Sequence, residues 1–334
     1  MHNIKEVAQL AKASTATVSR VINETGYVSD EMKQRVLEAI KELDYKPLQR
    51  EGKSKKTRTI ALIVPDVENP FFGKLTKEIS KVANTLKYNI LLINVSGLKN
   101  DGGDFLLNLI GTSVDGIIYT SSYLLEDVIC KAKTNKIPIV VLDRQLQDTI
   151  IDSIVINNDH AAFLATEHLI QLGHKRIAFI RGTKDMEISI NRYKGYKRAL
   201  KKYDIDYDKV IVQDGDFSIK SGYNATEKLI NSCNRITGIV VANDLMAIGA
   251  MNYLSFRGYK IPKDISVVGF DNIDMASSIT PKLTTMSYPI TRMSQLAIES
   301  ITKRISKTDI EFESVCLSTN LVIRESTAVA TKIQ

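Results

Sequence analysis

The chain has 334 residues, of which 44% are hydrophobic and 25% charged, a composition typical of a globular protein with two or three domains. No apolar run approaches the ~18 residues that a membrane-spanning helix requires, and residues 1–10 lack the apolar segment of a secretory signal, so we expect a cytoplasmic protein without membrane contact. The net charge is +7, and residues 1–58 hold twelve Lys/Arg against eight Asp/Glu, which indicates an anionic partner or a solvated basic segment near this end.

The first 46 residues contain three short amphipathic periods that predict three helices. Asn3 is a candidate N-cap for the first helix, Ser14 for the second, and the third follows Ser29. The positions predicted to be buried are Ile4, Val7, Ala8, Leu10 and Ala11 in the first helix, Val18, Val21 and Ile22 in the second, and Val36, Leu37, Ile40 and Leu43 in the third.

The other face of the second helix carries small polar side chains and one long cation, namely Thr15, Ala16, Thr17, Ser19 and Arg20. Short hydroxylated side chains allow a helix to lie deep in a groove, and a guanidinium can bond base edges there. Two short helices joined by a tight turn predict a helix-turn-helix that binds double-stranded DNA. The alternative is a three-helix bundle without a ligand.

A basic tract follows these helices. Residues 46–58 contain six Lys/Arg and a single acid, Glu51. Such a run is common in solvated linkers, but its position after a helix-turn-helix favours contact with DNA, and we expect Lys53, Lys55 and Lys56 to meet phosphates.

Beyond Thr59 the pattern alternates between buried strands and amphipathic helices, which predicts parallel sheets with crossover helices. This part is too long for one such sheet, and residues 157–160 are a plausible crossing between two. The predicted strands are 60–64, 90–93, 116–119, 139–142, 177–180, 239–242 and 266–270, and the clearest predicted helices are 72–86, 161–172 and 245–257.

Aromatic and polar residues follow several of these predicted strands, and ligands of parallel sheets bind at the carboxyl ends of strands. Aromatic faces can stack on a sugar or a base, while Asp, Asn and Arg can bond its polar groups. Each residue alone is more often a core aromatic or a surface ion pair, but together they predict a pocket. The set is Phe71, Phe72, Asp143, Arg144, Arg192, Phe217, Asn243 and Asp271.

Enzyme and metal motifs are missing from the sequence. There is no G-x-G-x-x-G after a strand, no P-loop and no H-E-x-x-H, and His168 is expected to be structural. The three cysteines, Cys130, Cys233 and Cys316, form no C-x-x-C, and we expect them to be buried thiols. These observations argue against an enzyme, a metal site and a bound cofactor.

The N-terminal segment "IKEVAQLAKASTATVSRVIN" followed by "YVSDEMKQRVLEAIKELDYKP" resembles the headpiece of the LacI/GalR family of bacterial transcription regulators. The resemblance implies that Thr15, Ala16 and Arg20 read base edges. It also implies phosphate contacts from Asn3, Lys5, Thr17, Ser19, Asn23 and Ser29.

Later segments, among them "VENPFF", "IPIVVLDR", "NRYKGYKRAL" and "VVGFDNIDMASSITPKLTTMSYP", resemble the regulatory core of the same family, which is similar to periplasmic sugar-binding proteins. The resemblance implies that the eight predicted pocket residues hold a pentose, as in ribose-binding members. Two positions depart from the family: Tyr288 stands where many relatives have Gln, and Ser54 stands where a Leu would wedge into the minor groove.

Together these inferences predict an α/β protein with a helix-turn-helix headpiece (1–46), a basic hinge (47–58) and a two-lobed effector-binding core of doubly wound parallel sheets (59–334). We expect a homodimeric repressor of a carbohydrate operon, released from operator DNA by a sugar such as ribose. The alternatives are a relative that responds to a purine, or one controlled mainly by a partner protein.

Overall fold

The computed structural model describes residues 3–23, 26–43, 45, 57–96, 113–120, 125–144, 151–232, 235–307 and 311–331. The chain divides into two compact units, Met1–Lys55 and Lys56–Gln334. Each unit is described below by itself.

The first unit has three helices in its described part: α1 (Ile4–Leu10), α2 (Thr15–Asn23) and α3 (Asp30–Glu42). Asn3 caps α1 by accepting from the backbone N–H groups of Lys5 and Glu6, and the turn before α2 passes through the left-handed region at Lys12. The helices enclose a small core of Val7, Ala8, Ala11, Val18, Val21, Val36 and Ala39. The predicted helix-turn-helix is confirmed.

Two of the predicted core residues in this unit are exposed. Leu10 is 42% exposed and Leu37 is 51% exposed, so their predicted burial was wrong. At 100° per residue, each lies about 100° from the centre of its helix's buried face. Ala11 and Ala39 lie within the buried faces instead, where their small side chains let the helices approach closely.

The second unit contains two six-stranded sheets. In strand order, the first sheet is β11-β5-β4-β3-β1-β2 and is parallel throughout, and the second is β12-β10-β9-β8-β6-β7, with only β12 antiparallel. The strands are β1 (Thr59–Val64), β2 (Asn89–Asn94), β3 (Gly116–Tyr119), β4 (Ile139–Leu142), β5 (Asp152–Ile156), β6 (Ile177–Arg181), β7 (Val212–Asp214), β8 (Gly238–Val241), β9 (Ser266–Asp271), β10 (Thr284–Ser287), β11 (Ser314–Leu317) and β12 (Asn320–Val322).

Helices cover the faces of both sheets, as parallel strands require. Their bounds are α4 (Pro70–Thr85), α5 (Leu125–Thr134), α6 (Asn158–Gln171), α7 (Glu187–Lys202), α8 (Ile219–Ser232), α9 (Asp244–Phe256) and α10 (Ile290–Ser306), with 3-10 turns at Lys209–Ile211 and Asp274–Ser277. All seven predicted strands are present, and the predicted two-lobed α/β fold class is confirmed. The predicted burial was wrong for β2, which is only partly buried because it lies at the edge of its sheet.

The chain crosses between the sheets three times. The first crossing, at Asn157, joins β5 to α6 and falls where the sequence predicted it. The chain returns to the first sheet after β10, through α10, and crosses a last time between β11 and β12. Two lobes connected in this way place the carboxyl ends of their strands around a common cleft.

The cysteines differ from the prediction. Cys130 and Cys316 are exposed, because Cys130 lies on the outer side of α5 and Cys316 lies on β11, the outermost strand of its sheet. Cys233 lies outside the described residues. Among the helices that the structure describes, none has the length and apolar character needed to cross a membrane.

Candidate functional sites

The exposed face of α2 carries the predicted base-reading residues. Thr15, Ala16 and Arg20 are all exposed, while Val18 and Val21 anchor the opposite face in the core. The Ser14 hydroxyl accepts from the Thr17 backbone N–H at 3.0 Å, which fixes the start of the helix. This geometry leaves three side chains of suitable chemistry free to enter a groove.

The residues predicted to contact phosphates differ in their exposure. Lys5 and Ser29 are exposed, and Ser29 makes no side-chain capping bond at the start of α3. Thr17 and Ser19 are half-buried, and the Asn3 amide bonds the Glu6 carboxylate at 2.7 Å. The remaining predicted contacts lie outside what the structure describes: the Asn23 side chain and all of Lys53, Lys55 and Lys56.

The second unit contains a cavity of about 730 Å³ that opens between its two lobes. All eight pocket residues predicted from the sequence line it, together with apolar residues such as Leu75, Leu142 and Met293. Arg192 comes from within α7 and not from the end of a strand. Phe71 and Phe72 meet edge to face, with ring centroids 5.2 Å apart. The tertiary structure therefore brings the predicted pocket residues into one place.

Three of these residues have left-handed backbone conformations, which side chains rarely adopt. The φ angles are +56° at Asp143, +71° at Phe217 and +103° at Asp271. Each costs on the order of 1–3 kcal/mol, and such strain concentrates at binding sites. The backbone of Asp143 is held by its N–H, which donates to the Ile154 carbonyl at 2.8 Å.

Arg192 lies at the inner end of the pocket, with only 1% of its surface exposed. Its Nε donates to Asn158 Oδ1 at 3.0 Å, and its two terminal nitrogens donate to the Ala242 carbonyl and the Tyr288 hydroxyl. The guanidinium also lies over the Phe270 ring, 4.6 Å from its centroid. These partners fix the cation, as a buried charge requires.

Two carboxyl groups face this cation. Asp143 accepts from Asn158 Nδ2 at 2.9 Å, and Asp271 Oδ1 lies 3.8 Å from an Arg192 nitrogen. Burial raises the pKa of Asp143 to about 6 against the opposing effects of Arg192 and Asn158. Burial raises the pKa of Asp271 to about 7, opposed by Arg192 and assisted by the charge of Asp143. Both groups gain from a ligand that donates hydrogen bonds to them.

The other predicted polar residues are held in different ways. Asn243 caps α9 through the Met246 N–H at 3.0 Å and donates to the Phe217 carbonyl at 2.9 Å. Arg144 also lines the cavity, where it lies 3.7 Å from Glu187. Asn243 therefore holds Phe217 in place as well as lining the pocket.

Two residues at the centre of this network were not among the predicted pocket residues. Asn158 bonds Asp143, Arg192 and Tyr288 at once. Tyr288 is 5% exposed and lines the cavity. Nothing in its local sequence marks Asn158, which reads as a helix start, whereas Tyr288 was visible as a departure from the family pattern.

No group of three or more His, Cys, Asp or Glu in the described part of the chain could hold a metal ion. His168 was expected to have a structural role, and its ring forms a hydrogen bond with the Thr327 hydroxyl at 3.0 Å. The polar groups of the pocket suit an organic ligand with hydroxyl groups.

Comparison with curated proteins finds relatives along nearly the whole chain. The chain is 36% identical to the ribose operon repressor of Halalkalibacterium halodurans (98% of this chain, 97% of the relative) and 35% identical to catabolite control protein A of Priestia megaterium (97% and 98%). It is also 35% identical to the HTH-type transcriptional repressor PurR of Vibrio atlanticus (93% and 94%).

Solved structures agree with these matches. A LacI family regulator from Enterococcus faecium with bound ribose superposes with a TM-score of 0.75 at 33% identity, covering 82% of this chain and all of that one. A lac repressor dimer bound to operator has a TM-score of 0.73 at 27% identity, covering 98% and 99%.

The family models place the same two parts on the chain. Residues 3–48 match the model for bacterial regulatory proteins of the lacI family, and residues 166–327 match the periplasmic binding protein-like domain. Members of this family are DNA-binding transcription regulators and not enzymes. The chain belongs to the lacI family of bacterial regulatory proteins.

Proposed function

We propose that this protein is a homodimeric cytoplasmic repressor of a carbohydrate operon whose operator affinity falls when a sugar, most suitably ribose or another pentose, binds the core. The observation that carries the proposal is the cavity lined by aromatic rings, two carboxyl groups and a buried guanidinium. Its parts are a DNA-binding headpiece (1–46), a basic hinge (47–58) and an effector core (59–334).

DNA recognition is assigned to α2. Arg20 can bond guanine O6 and N7, and the methyl groups of Thr15 and Ala16 suit a thymine methyl. One headpiece covers about one half-site, so two related by a two-fold axis would read half-sites roughly 34 Å apart. The dimer is therefore part of the proposal.

The hinge is assigned to phosphate binding. Lys53, Lys55 and Lys56 supply charge but no apolar wedge, so we expect salt-sensitive affinity with little DNA bending. Changing all three to Gln should reduce the slope of log affinity against log salt by about 0.9 for each phosphate that the variant no longer neutralises.

The sugar assignment rests on complementarity. Phe71, Phe72 and Phe217 can cover the apolar faces of a sugar ring, while Asp143 and Asp271 accept from its hydroxyls. The ribose-bound relative from Enterococcus faecium and the ribose operon repressor of Halalkalibacterium halodurans support a pentose. Ligand binding would shift the dimer between two arrangements of different operator affinity.

The decisive experiment measures binding and release in the same protein. An operator is selected from random DNA with the full-length chain, and pentoses, hexoses and purines are then tested by thermal shift and by operator release. We expect ribose or a close pentose to stabilise the protein and release DNA. The proposal would be contradicted if no sugar stabilised the protein and no sugar released it from the operator.

A purine effector is the second candidate, because the PurR relative is about as similar as the ribose repressor. Aromatic walls suit a base as well as a sugar, so the same screen decides between them: tight hypoxanthine or guanine binding without a pentose response favours the purine. Control by a partner protein is the third candidate, and it predicts no response to any small molecule.

A further inference from the structure

Tyr288 forms part of the inner wall of the effector pocket. It follows β10 directly, and its ring meets the Phe71 ring edge-on with centroids 5.3 Å apart. The hydroxyl donates its proton to Asn158 Oδ1 at 2.8 Å and accepts from a terminal nitrogen of Arg192. Both the ring and the hydroxyl are therefore held in place.

This contact removes Arg192 from the reach of a ligand. Nε donates to Asn158, one terminal nitrogen donates to the Ala242 carbonyl, and the other donates to the Tyr288 hydroxyl and lies 3.8 Å from Asp271 Oδ1. Each terminal nitrogen keeps a second N–H, but with 1% of Arg192 exposed a ligand atom could bond the guanidinium only if the Tyr288 hydroxyl were removed or displaced.

What remains at the inner end is a set of acceptors. Asp143 and Asp271 present carboxyl oxygens, while the Asn158 amide is used on both sides, donating to Asp143 and accepting from Tyr288. When both carboxyl groups are ionised, as at pH 8, a ligand oxygen that only accepts, such as a carbonyl, carboxylate or phosphate oxygen, would meet lone pairs there and lose its bonds to water. Such unpaired buried groups penalise binding strongly.

We propose that Tyr288 sets the chemical class of the effector: by occupying Arg192 it makes the inner end of the pocket select hydroxyl donors and reject anionic or carbonyl groups. The effector is then a neutral polyol that donates to Asp143 and Asp271. This inference rests on the proposed sugar-responsive function and narrows it.

The test compares Tyr288→Phe with wild type and with Tyr196→Phe. The control removes an equally buried hydroxyl, which bonds the Ile177 carbonyl at 2.8 Å away from the pocket. Calorimetry on the full-length protein at pH 8, where both pocket carboxyl groups are largely ionised, measures the affinities of D-ribose, D-ribonate and D-ribose 5-phosphate. The two anions carry their charge at opposite ends of the pentose. Wild type should bind at least one anion a hundredfold or more weakly than ribose. Tyr288→Phe should narrow that gap tenfold or more by freeing an Arg192 donor, and Tyr196→Phe should not.

A second measurement needs no variant. In 2-deoxy-2-fluoro-ribose and 3-deoxy-3-fluoro-ribose a hydroxyl donor becomes a fluorine of similar size, and at least one analogue should bind wild type tenfold or more weakly than ribose. Equal binding of both fluorinated sugars, tight binding of both anions, or an unchanged ratio in Tyr288→Phe overturns the inference alone. A wild type that binds no neutral sugar overturns the proposed function as well.

Discussion

At the scale of single residues, Asp271 is a buried carboxyl group whose ionised form is destabilised in the folded protein and would be stabilised by a ligand that donates a hydrogen bond. The carboxyl group is buried beside Arg192, with Asp143 and Asp244 close enough to influence its charge. Its pKa of about 7 lies above the ordinary value of 3.8, so ionising this carboxyl group is less favourable in the folded protein than in the unfolded chain. The cost of ionising it is absent in the unfolded chain and is offset when a ligand donates to it.

Asp271→Asn is therefore expected to stabilise the ligand-free protein. At pH 8 the unfolded wild type and the folded wild type are both ionised here, and the folded state bears the penalty, so removing the charge should add on the order of 2 kcal/mol. The gain should shrink as pH falls through 7 and vanish below the ordinary pKa of 3.8, where both states are protonated. Thermal unfolding across this pH range measures it.

Asp274→Asn is the control for this change, since its side chain is 94% exposed on the following turn. It should leave unfolding unchanged at every pH. Asp271→Asn should also lose ribose binding while retaining operator affinity. A variant that is less stable at pH 8 than wild type would contradict the assigned sign.

Arg20→Ala tests base reading by α2. Among the exposed residues of the recognition face Arg20 is the long donor, and loss of a bidentate base contact should cost about 1–3 kcal/mol of discrimination. The ratio of operator affinity to random-DNA affinity should fall accordingly, with ribose binding unchanged. Lys33→Ala, which removes an exposed charge from α3, should weaken both DNAs alike. An unchanged ratio in Arg20→Ala would rule out the assigned role.

At the scale of elements, the turns after the strands of the second sheet build the pocket wall. Phe217 reaches the cavity because the turn after β6 has glycine at position 182. A Cβ there would lie 2.0 Å from the nearest atom of the Phe217 ring. The ring and the glycine come from different loops. As long as the Phe217 ring occupies this position, residue 182 must be a glycine.

Gly182→Ala should push the Phe217 ring out of its position and weaken ribose binding at least tenfold. Phe217 has little freedom to adapt because its backbone is already left-handed and its carbonyl is held by Asn243. Gly73→Ala is the matched control, since a Cβ there meets nothing within 4 Å in α4, and it should keep wild-type affinity with a small gain in stability. Calorimetry measures both, and normal binding by Gly182→Ala would show that Phe217 is dispensable.

At the scale of the whole molecule, the proposed ligand and DNA sites lie in different units of one chain, so the proposed coupling between them requires a change in equilibrium between conformations. Within the second unit, the Tyr288 hydroxyl joins the second crossing to Asn158 at the start of α6, directly after the first crossing. Two of the three segments that connect the lobes thus meet at the pocket.

Thermodynamic linkage gives a quantitative prediction. If ribose weakens operator binding by some factor, then saturating operator must weaken ribose binding by the same factor, typically about 5–150-fold. Titrations of ribose into free protein and into the operator complex measure one side, and operator titrations with and without ribose measure the other. A factor of one on both sides would show that ribose and operator binding are uncoupled and would contradict the proposed release.

The sequence by itself determined the class of elements and their chemistry. Periodicity predicted the helix-turn-helix and seven buried strands because apolar spacing follows directly from helix and strand geometry. Most of the eight pocket residues could be selected because residues at the carboxyl ends of parallel strands converge at one edge of their sheet, whereas Arg192, within α7, was assigned through the family resemblance. The convergence of residues from both sheets on one cavity depends on how the lobes pack.

Only the tertiary structure decided which side chains are buried and which distant polar side chains form hydrogen bonds with one another. Leu37 and Cys316 had apolar surroundings in sequence but face outward, because burial depends on which face a neighbouring element covers. The bonding of Arg192 to Asn158 and Tyr288 joins residues 34 and 96 positions apart. Local patterns carry no record of such contacts, which arise when the chain crosses between the lobes and brings distant polar groups into one buried space where each must find a partner.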